Sequence, residues 1–150
     1  MAHIERRLTF RSSPHEVFAS LVDIESRPEW RPDIKKAYLT SRAPLEVGTI
    51  FALDAVFMGQ PFQTVGKVIK CNPDTEFAYV YAEGMVAGVW NYRVTSIDGG
   101  AQLEIAIDFI EPVRSMRWLK RLLRPILRRI INRNIDRFHA WVERKHATSP

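Results

Sequence analysis

The chain has 150 residues, of which 46% are hydrophobic and 26% charged; this is the composition of an ordinary globular protein and excludes a disordered or fibrous chain. A single cysteine, Cys71, excludes an internal disulfide framework and a zinc site built on several thiolates. The net charge of +5 is localised, because residues 114–133 contain eight basic residues and no acidic one, which leaves 14 basic against 17 acidic residues elsewhere.

The first 32 residues predict a strand, a short helix and an irregular stretch. Ile4–Phe10 alternates apolar and polar side chains, interrupted by two arginines, as expected of a strand with one buried face. Ser13 precedes a proline and is followed three residues later by Glu16, which together form a helix-start signal. Asp23–Pro32 contains two prolines and predicts an irregular segment whose large anchor is Trp30.

The middle of the chain predicts consecutive strands. Turn residues recur at intervals of roughly ten, which is typical of antiparallel hairpins without intervening helices. The predicted strands are Ile34–Thr40, Thr49–Met58, Phe62–Cys71, Phe77–Ala82, Val86–Ile97 and Gln102–Ile110. The pattern does not assign the inward face of Phe62–Cys71, nor that of Phe77–Ala82.

The last third predicts one long amphipathic helix. Apolar residues from Met116 to Val142 recur every three or four positions, and Pro125 is expected to kink this helix or divide it in two. The sequence therefore predicts an α+β fold. A curved antiparallel sheet of about seven strands wraps around the C-terminal helix, and short helices follow the first strand. Such a sheet leaves an interior space beside the helix.

Several segments in this order resemble a known superfamily. They are Ser13-Pro14-His15-Glu16-Val17-Phe18, Pro28-Glu29-Trp30-Arg31-Pro32, Val47-Gly48-Thr49, Tyr92-Arg93-Val94 and Gly99-Gly100-Ala101-Gln102-Leu103. The chain resembles the START-like or polyketide cyclase/dehydrase superfamily, also called helix-grip, SRPBCC or Bet v 1-like proteins. The resemblance implies a helix-grip fold with a hydrophobic ligand cavity. It does not choose among lipid carriers, hormone receptors, coenzyme Q-binding proteins, co-chaperone domains and aromatic cyclases.

Apolar residues on the predicted inner faces of the sheet and helix are candidates for the cavity wall. They are Trp30, Phe51, Leu53, Phe57, Trp90, Tyr92, Phe109, Met116, Leu119, Leu123 and Leu127. From the pattern alone a close-packed core is the favoured interpretation of these residues. The implied fold and the curvature of the sheet give equal weight to a binding site for a small hydrophobic molecule such as a lipid, a quinone or an aromatic polyketide.

An enzyme is the alternative hypothesis, because a cyclase or aromatase would need polar groups inside the cavity. The candidates are Asp54, Tyr79, Tyr81, Tyr92 and Arg93, and they form no recognisable acid–base pair. Phosphate-loop, nucleophile-elbow and metal-ligand motifs are missing from the sequence, so we predict neither a cofactor nor a metal.

The basic segment forms a helical stripe of Arg117, Arg121, Arg124 and Arg128. It is either a solvated face or a surface for an anionic membrane, an acidic protein or RNA. Nucleic acid is disfavoured because the charge is confined to one segment. The apolar helix end and Trp118 are also compatible with a homodimer.

No apolar run is long enough to span a bilayer, and the first residues lack the apolar core of a signal peptide. The sequence therefore predicts a soluble, cytoplasmic protein with a single domain over residues 1–150.

Overall fold

The structure is a computed structural model that describes residues 2–40, 44–57, 59–83, 87–110 and 117–147. It contains seven strands and two α-helices in these residues, together with one 3₁₀ helix. In chain order the elements are β1 Ala2–Phe10, α1 Pro14–Val22, the 3₁₀ helix Ile24–Glu29, β2 Ile34–Leu39, β3 Ile50–Phe57, β4 Gln60–Asn72, β5 Glu76–Glu83, β6 Ala87–Ile97, β7 Gly100–Ile110 and α2 Arg117–Ala147.

The seven strands form one antiparallel sheet in the order β1-β7-β6-β5-β4-β3-β2. From β2 to β7 each strand pairs with its neighbour in sequence, as expected of consecutive hairpins, and β1 closes the other edge by pairing with β7. The predicted α+β helix-grip fold is therefore confirmed.

Helix α1 begins at the predicted capping residue. The Ser13 hydroxyl accepts a hydrogen bond from the backbone N–H of Glu16 at 3.2 Å, and Pro14 occupies the first helical position. The face carrying Val17 and Leu21 is buried, so α1 packs as the apolar pattern predicts.

One glycine in the sheet is required by its neighbour. Gly66 of β4 pairs with Phe51 of β3, and the Phe51 ring lies over the position that a Cβ atom at residue 66 would occupy. The ring is completely buried there, so the absence of a side chain at residue 66 lets an aromatic ring lie flat against the sheet.

Helix α2 crosses the inner face of the sheet as one continuous element of 31 residues. The expected division at Pro125 does not occur. Proline removes one backbone hydrogen bond, and the turns on both sides are held by packing of Leu127 and Leu123 against the core.

An arginine that interrupts the apolar pattern of β1 ties this strand to α2. Arg6 donates hydrogen bonds to Asn132 at 3.1 Å and to Asp136 at 2.7 Å. Its inward position is therefore a polar bridge between strand and helix.

Candidate functional site

A small cavity of about 70 Å³ lies between the sheet and α2; we call it the inner chamber. Its wall includes residues from α1, from the segment between α1 and β2, from the middle strands of the sheet and from α2. They are Leu21, Arg27, Trp30, Arg31, Tyr79, Trp90, Tyr92, Ile105, Ile107, Ile131, Asn134, Ile135 and Phe138. Apart from a few polar groups, the wall is aliphatic and aromatic, as in most small-molecule sites.

The 3₁₀ helix carries a charged side chain into this apolar interior. Residues three apart in a 3₁₀ helix lie on the same side, and Ile24 and Arg27 are both buried. Trp30, three residues further on, packs against Phe138 of α2, with the centres of the two rings 5.1 Å apart. The repeat of three therefore explains why Arg27 lies on the inner side of this turn.

Arg27 is 3% exposed and has no acidic partner within the described part of the chain. Its Nη1 donates to the hydroxyl oxygens of Tyr79 at 3.2 Å and Tyr81 at 3.3 Å. Its guanidinium lies 4.9 Å from the centre of the Tyr79 ring and 5.7 Å from that of Phe51. Among the described residues, no carboxylate comes within 4.0 Å of it. Within the described ranges, the contacts of this cation are therefore with neutral hydroxyls and aromatic faces.

The hydroxyls belong to a group of three tyrosines on adjacent strands, which we call the tyrosine cluster: Tyr79 and Tyr81 of β5 and Tyr92 of β6. Alternation along β5 places Tyr79 and Tyr81 on the same face, and the hydroxyl oxygens of Tyr79 and Tyr92 are 3.0 Å apart. The register pairs Tyr79 with Trp90, whose rings stack with their centres 6.0 Å apart.

The charge of Arg27 contributes to a difference in pKa among the three phenols of the tyrosine cluster. Burial raises the pKa of Tyr79, but the Arg27 charge and the hydrogen bonds with Tyr92 and Arg27 outweigh burial, so the pKa of this phenol is lowered from its usual 10.0. Burial dominates at the other two phenols, and the pKa of Tyr81 and that of Tyr92 are both raised. Burial also lowers the pKa of Arg27, yet the three tyrosines more than compensate and raise it, so the guanidinium stays charged. The chamber therefore combines a fixed cation with one phenol of increased acidity.

A second arginine in the wall shows the usual way of satisfying such a charge. Arg31 forms a two-point contact with Asp33, with Nη2–Oδ2 at 2.8 Å and Nε–Oδ1 at 3.3 Å. This is the fork geometry in which arginine binds carboxylates most strongly. Arg27 differs in that it lies deeper and lacks such a partner among the described residues.

A second cavity of about 80 Å³ adjoins the inner chamber and is lined mainly by β3, β4 and β5 residues; we call it the side chamber. Arg31 and Trp90 line both chambers, and Tyr81 and Leu53 belong to the side chamber. Arg31 and Trp90 therefore belong to the walls of two spaces that each have room for a few water molecules.

One further polar group near the inner chamber is unsatisfied. The indole Nε1 of Trp30 is buried and has no hydrogen-bond partner among the described residues. Buried indole N–H groups usually find an acceptor, so this donor is available to a molecule that brings one.

The residues predicted from sequence to line the cavity lie in several places. Trp30, Trp90 and Tyr92 line the inner chamber, and Leu53 and Trp90 line the side chamber. The remaining described ones belong to the packed core or its edge: Phe51, Phe109 and Leu127 are buried, and Phe57 and Leu123 are half-buried. Met116 and the side chain of Leu119 lie outside the described residues.

The predicted basic stripe is not uniform. Arg121 is exposed, Arg124 is half-buried, and Arg128 donates to the backbone carbonyl of His3 at 2.9 Å. The side chains of Arg117 and Trp118 lie outside the described residues. At least one arginine of the stripe therefore fastens α2 to the edge strand β1.

Sequence reasoning missed Arg27, the most unusual residue of the site. An arginine beside a proline in an irregular segment is normally a surface residue. The available signal was the spacing of Ile24, Arg27 and Trp30, which predicts a common face if the segment forms a 3₁₀ helix. Of the enzyme candidates, Asp54 lies away from the chamber and accepts a hydrogen bond from Gln63 at 3.1 Å, whereas Tyr79, Tyr81 and Tyr92 form the cluster.

Within the described residues, His, Cys, Asp and Glu side chains nowhere come together in a group of three that could hold a metal ion. None of the described helices combines the length and the hydrophobicity needed to cross a lipid bilayer.

The sequence profile of one protein family matches residues 1–143 of the chain. That family is described as polyketide cyclase / dehydrase and lipid transport. Because the match extends over almost the whole chain, this protein belongs to that family, and the resemblance noted from its sequence is confirmed. No curated protein matches the sequence in a direct comparison.

Solved structures share the fold at low sequence identity. The Zhui aromatase/cyclase from Streptomyces sp. R1128 superposes with a TM-score of 0.79 at 16% identity, covering 96% of this chain and 94% of that one. The protein TTHA0849 from Thermus thermophilus gives a TM-score of 0.78 at 14% identity, covering 99% of this chain and 100% of that one. A START superfamily protein from Mycobacterium smegmatis gives 0.74 at 12% identity, with 95% of each chain covered. At these identities the comparison establishes the fold alone.

Proposed function

We propose that the protein binds a small molecule that has an apolar, preferably aromatic, body and an acidic or carbonyl oxygen at one end. The oxygen binds the guanidinium of Arg27, and the body lies between the sheet and α2. The observation that carries this proposal is the buried charge of Arg27, which meets only neutral groups among the described residues.

A buried cation costs several kcal/mol unless an anion or a set of hydrogen bonds compensates it. Both hydrogen bonds of Arg27 use Nη1, so Nη2 and Nε have no acceptor among the described residues. A carboxylate, a phenolate or an enolate would supply the acceptors that these N–H groups lack, with the planar geometry that suits a guanidinium. The site is therefore complementary to an oxyanion.

The size of the chambers favours a compact ligand. The two spaces of about 70 and 80 Å³ share Arg31 and Trp90 in their walls, and drug-sized pockets usually have about 300–1,000 Å³. Rotation of the Trp90 side chain would join the chambers and admit a molecule of one or two rings. A long acyl chain would also require α2 to move away from the sheet.

The family description supports the same class of ligand, because it names polyketide cyclases and dehydrases together with lipid transport. Aromatic polyketides and fatty acids share an apolar body and an oxygen-bearing end. The Zhui protein, which shares the fold, is named an aromatase/cyclase.

The test compares naphthoate with its methyl ester, which differ in charge but hardly in shape, by titration calorimetry. We expect the wild-type protein to bind the acid at least about tenfold more tightly than the ester, since a charge-assisted hydrogen bond contributes about 1.5–3 kcal/mol. Arg27→Met should remove that preference. Arg6→Met is the matched control, because Arg6 binds Asp136 away from the chamber, and it should keep the preference. Failure of both compounds to bind, or equal affinities for both, would contradict the proposal.

A cyclase or aromatase activity is a second candidate, favoured by the lowered pKa of Tyr79 beside the charge of Arg27. Arg27 would stabilise an enolate oxygen, and the Tyr79 hydroxyl would provide a proton to it. Tyr79→Phe should then slow the cyclisation of an aromatic polyketone by at least about tenfold while naphthoate still binds. No conversion of such ketones by the wild-type protein would leave binding as the sole activity.

A further inference from the structure

We propose that the outer face of the first half of α2 docks on the surface of an anionic lipid bilayer. We define this outer face by Leu122, Ile126 and the exposed arginines Arg121, Arg129 and Arg133. The inference is independent of the proposed ligand, because none of these residues lines either chamber.

The geometry of α2 places these residues on one side. With 3.6 residues per turn, Leu122 and Ile126 lie one turn apart, and Arg129 and Arg133 continue the same row. The opposite side of the helix carries Leu127 and other residues that are buried against the sheet: Ile135, Phe138 and Val142. The outer face is thus one of the parts of α2 that lie exposed among the described residues.

Two large apolar side chains are exposed in the middle of this face. Leu122 is 58% and Ile126 47% exposed, although apolar residues at helical spacing normally face a core. Both lie among arginines, whose long aliphatic stems can lie along an apolar surface while their charged ends reach phosphate groups. Exposed apolar side chains beside basic ones can together bind the interface of an anionic bilayer, the first by insertion and the second through the lipid phosphates.

The basic charge of the outer face does not stabilise the helix by itself, whereas Arg128, which lies beside this face, binds the backbone carbonyl of His3. No acidic residue occurs from 114 to 135, and the first turn of α2 lacks the acidic side chains that stabilise a helix N-terminus. Basic residues also lie four positions apart, as in the pair Arg129 and Arg133, and like charges at this spacing destabilise a helix. An anionic partner accounts for a charge pattern that the isolated helix does not favour.

The exposed apolar pair favours a bilayer over RNA, and an acidic protein is the alternative that polyglutamate represents in the test below. RNA would contact the arginines but would gain nothing from exposed Leu122 and Ile126. Proteins bind unpaired bases by stacking them on aromatic side chains, and the described members of this face include none. A bilayer interface takes up both the apolar side chains and the charges. Since α2 also covers the inner chamber, docking would bring the side of the molecule that covers the chamber against the lipid.

The test is co-sedimentation of the full chain with vesicles of phosphatidylcholine, with and without phosphatidylserine. We expect binding only in the presence of phosphatidylserine, with an affinity that falls as salt rises. Reversing the charge at Arg121, Arg129 and Arg133 to Glu should weaken binding by at least about a hundredfold, because each basic residue near such a surface contributes about 1 kcal/mol. The double variant Leu122→Ser with Ile126→Ser should weaken it about tenfold or more, because it loses the apolar insertion.

The matched control makes the same charge change on another surface. Lys35, Lys36 and Lys67 are exposed on β2 and β4, and their replacement by Glu should leave vesicle binding within about threefold of wild type, because they lie away from α2. All these substitutions are at exposed positions, and urea unfolding would verify that each variant folds.

Three outcomes would overturn the inference. The first is equal binding to vesicles with and without phosphatidylserine, or none to either. The second is loss of binding in the arginine variant with no change in the Leu122 and Ile126 variant. Binding would then be purely electrostatic, and polyuridylate and polyglutamate would test whether RNA or an acidic protein is the partner. The third is a dimer in solution that the apolar double variant dissociates, since the face would then be an interface between two copies of the chain.

Discussion

Replacement of Arg27 by methionine separates a ligand-binding role from a structural one. Methionine retains an unbranched apolar stem of similar length but carries no charge. If Arg27 is present to bind a ligand, the ligand-free protein gains little from it. We therefore expect Arg27→Met to change the free energy of unfolding of the ligand-free protein by no more than about 2 kcal/mol in either direction, because the lost contacts and the relieved desolvation nearly cancel.

The magnitude follows from the contacts. The variant loses two hydrogen bonds of 3.2 and 3.3 Å from a charged donor, worth about 1.5 kcal/mol each, and cation–π contacts with Phe51 and Tyr79, worth about 2 kcal/mol together. It is relieved of the cost of burying a cation, which is several kcal/mol. The two sums are of similar size, about 5 kcal/mol each.

Arg31→Met provides the comparison, because its loss leaves the half-buried Asp33 carboxylate without its two-point partner. We expect that variant to be destabilised by about 2 kcal/mol, the penalty for breaking a partly buried ion pair. The assay is urea unfolding followed by tryptophan fluorescence, with the slope m compared between variants. If the free energy of unfolding of Arg27→Met falls by more than about 4 kcal/mol, and by more than that of Arg31→Met, Arg27 mainly stabilises the fold and the ligand-binding role is contradicted.

Two further predictions concern the surroundings of Arg27. Because the folded state lowers the pKa of Tyr79, this phenol should ionise before the other members of the tyrosine cluster as pH rises, and its contribution to stability should grow as pH passes through its folded pKa. Tyrosinate absorbance should show this step, and Arg27→Met should move it to higher pH; an unmoved step would contradict the assigned cause. Gly66→Ala should lower the free energy of unfolding by about 1–3 kcal/mol in urea, because its methyl group displaces the Phe51 ring, and an unchanged midpoint would mean that the ring moves freely.

The fold was predictable because its signals are local. Alternating strands, turn residues at regular intervals and the apolar repeat of the last third each follow from nearest-neighbour geometry. The continuity of α2 through Pro125 was not predictable in this way, since it depends on packing of the turns on either side of the proline.

The candidate site was only partly predictable. The apolar wall follows from alternation, which identified Trp90 and Tyr92. Arg27 did not follow, because a single arginine gives no periodic signal and its burial depends on tyrosines about fifty residues away in the sequence. The facing of Tyr79 and Tyr81 likewise required the register of β5 against its neighbours.

The most direct measurement of the central claim is nuclear magnetic resonance of the Arg27 side chain in isotope-labelled protein. Addition of naphthoate should shift the Nε–H resonance of Arg27 markedly, and the methyl ester should shift it much less, because the carboxylate binds this guanidinium. Saturating naphthoate that shifts resonances elsewhere but leaves that of Arg27 in place would show that the buried cation is not the anchor.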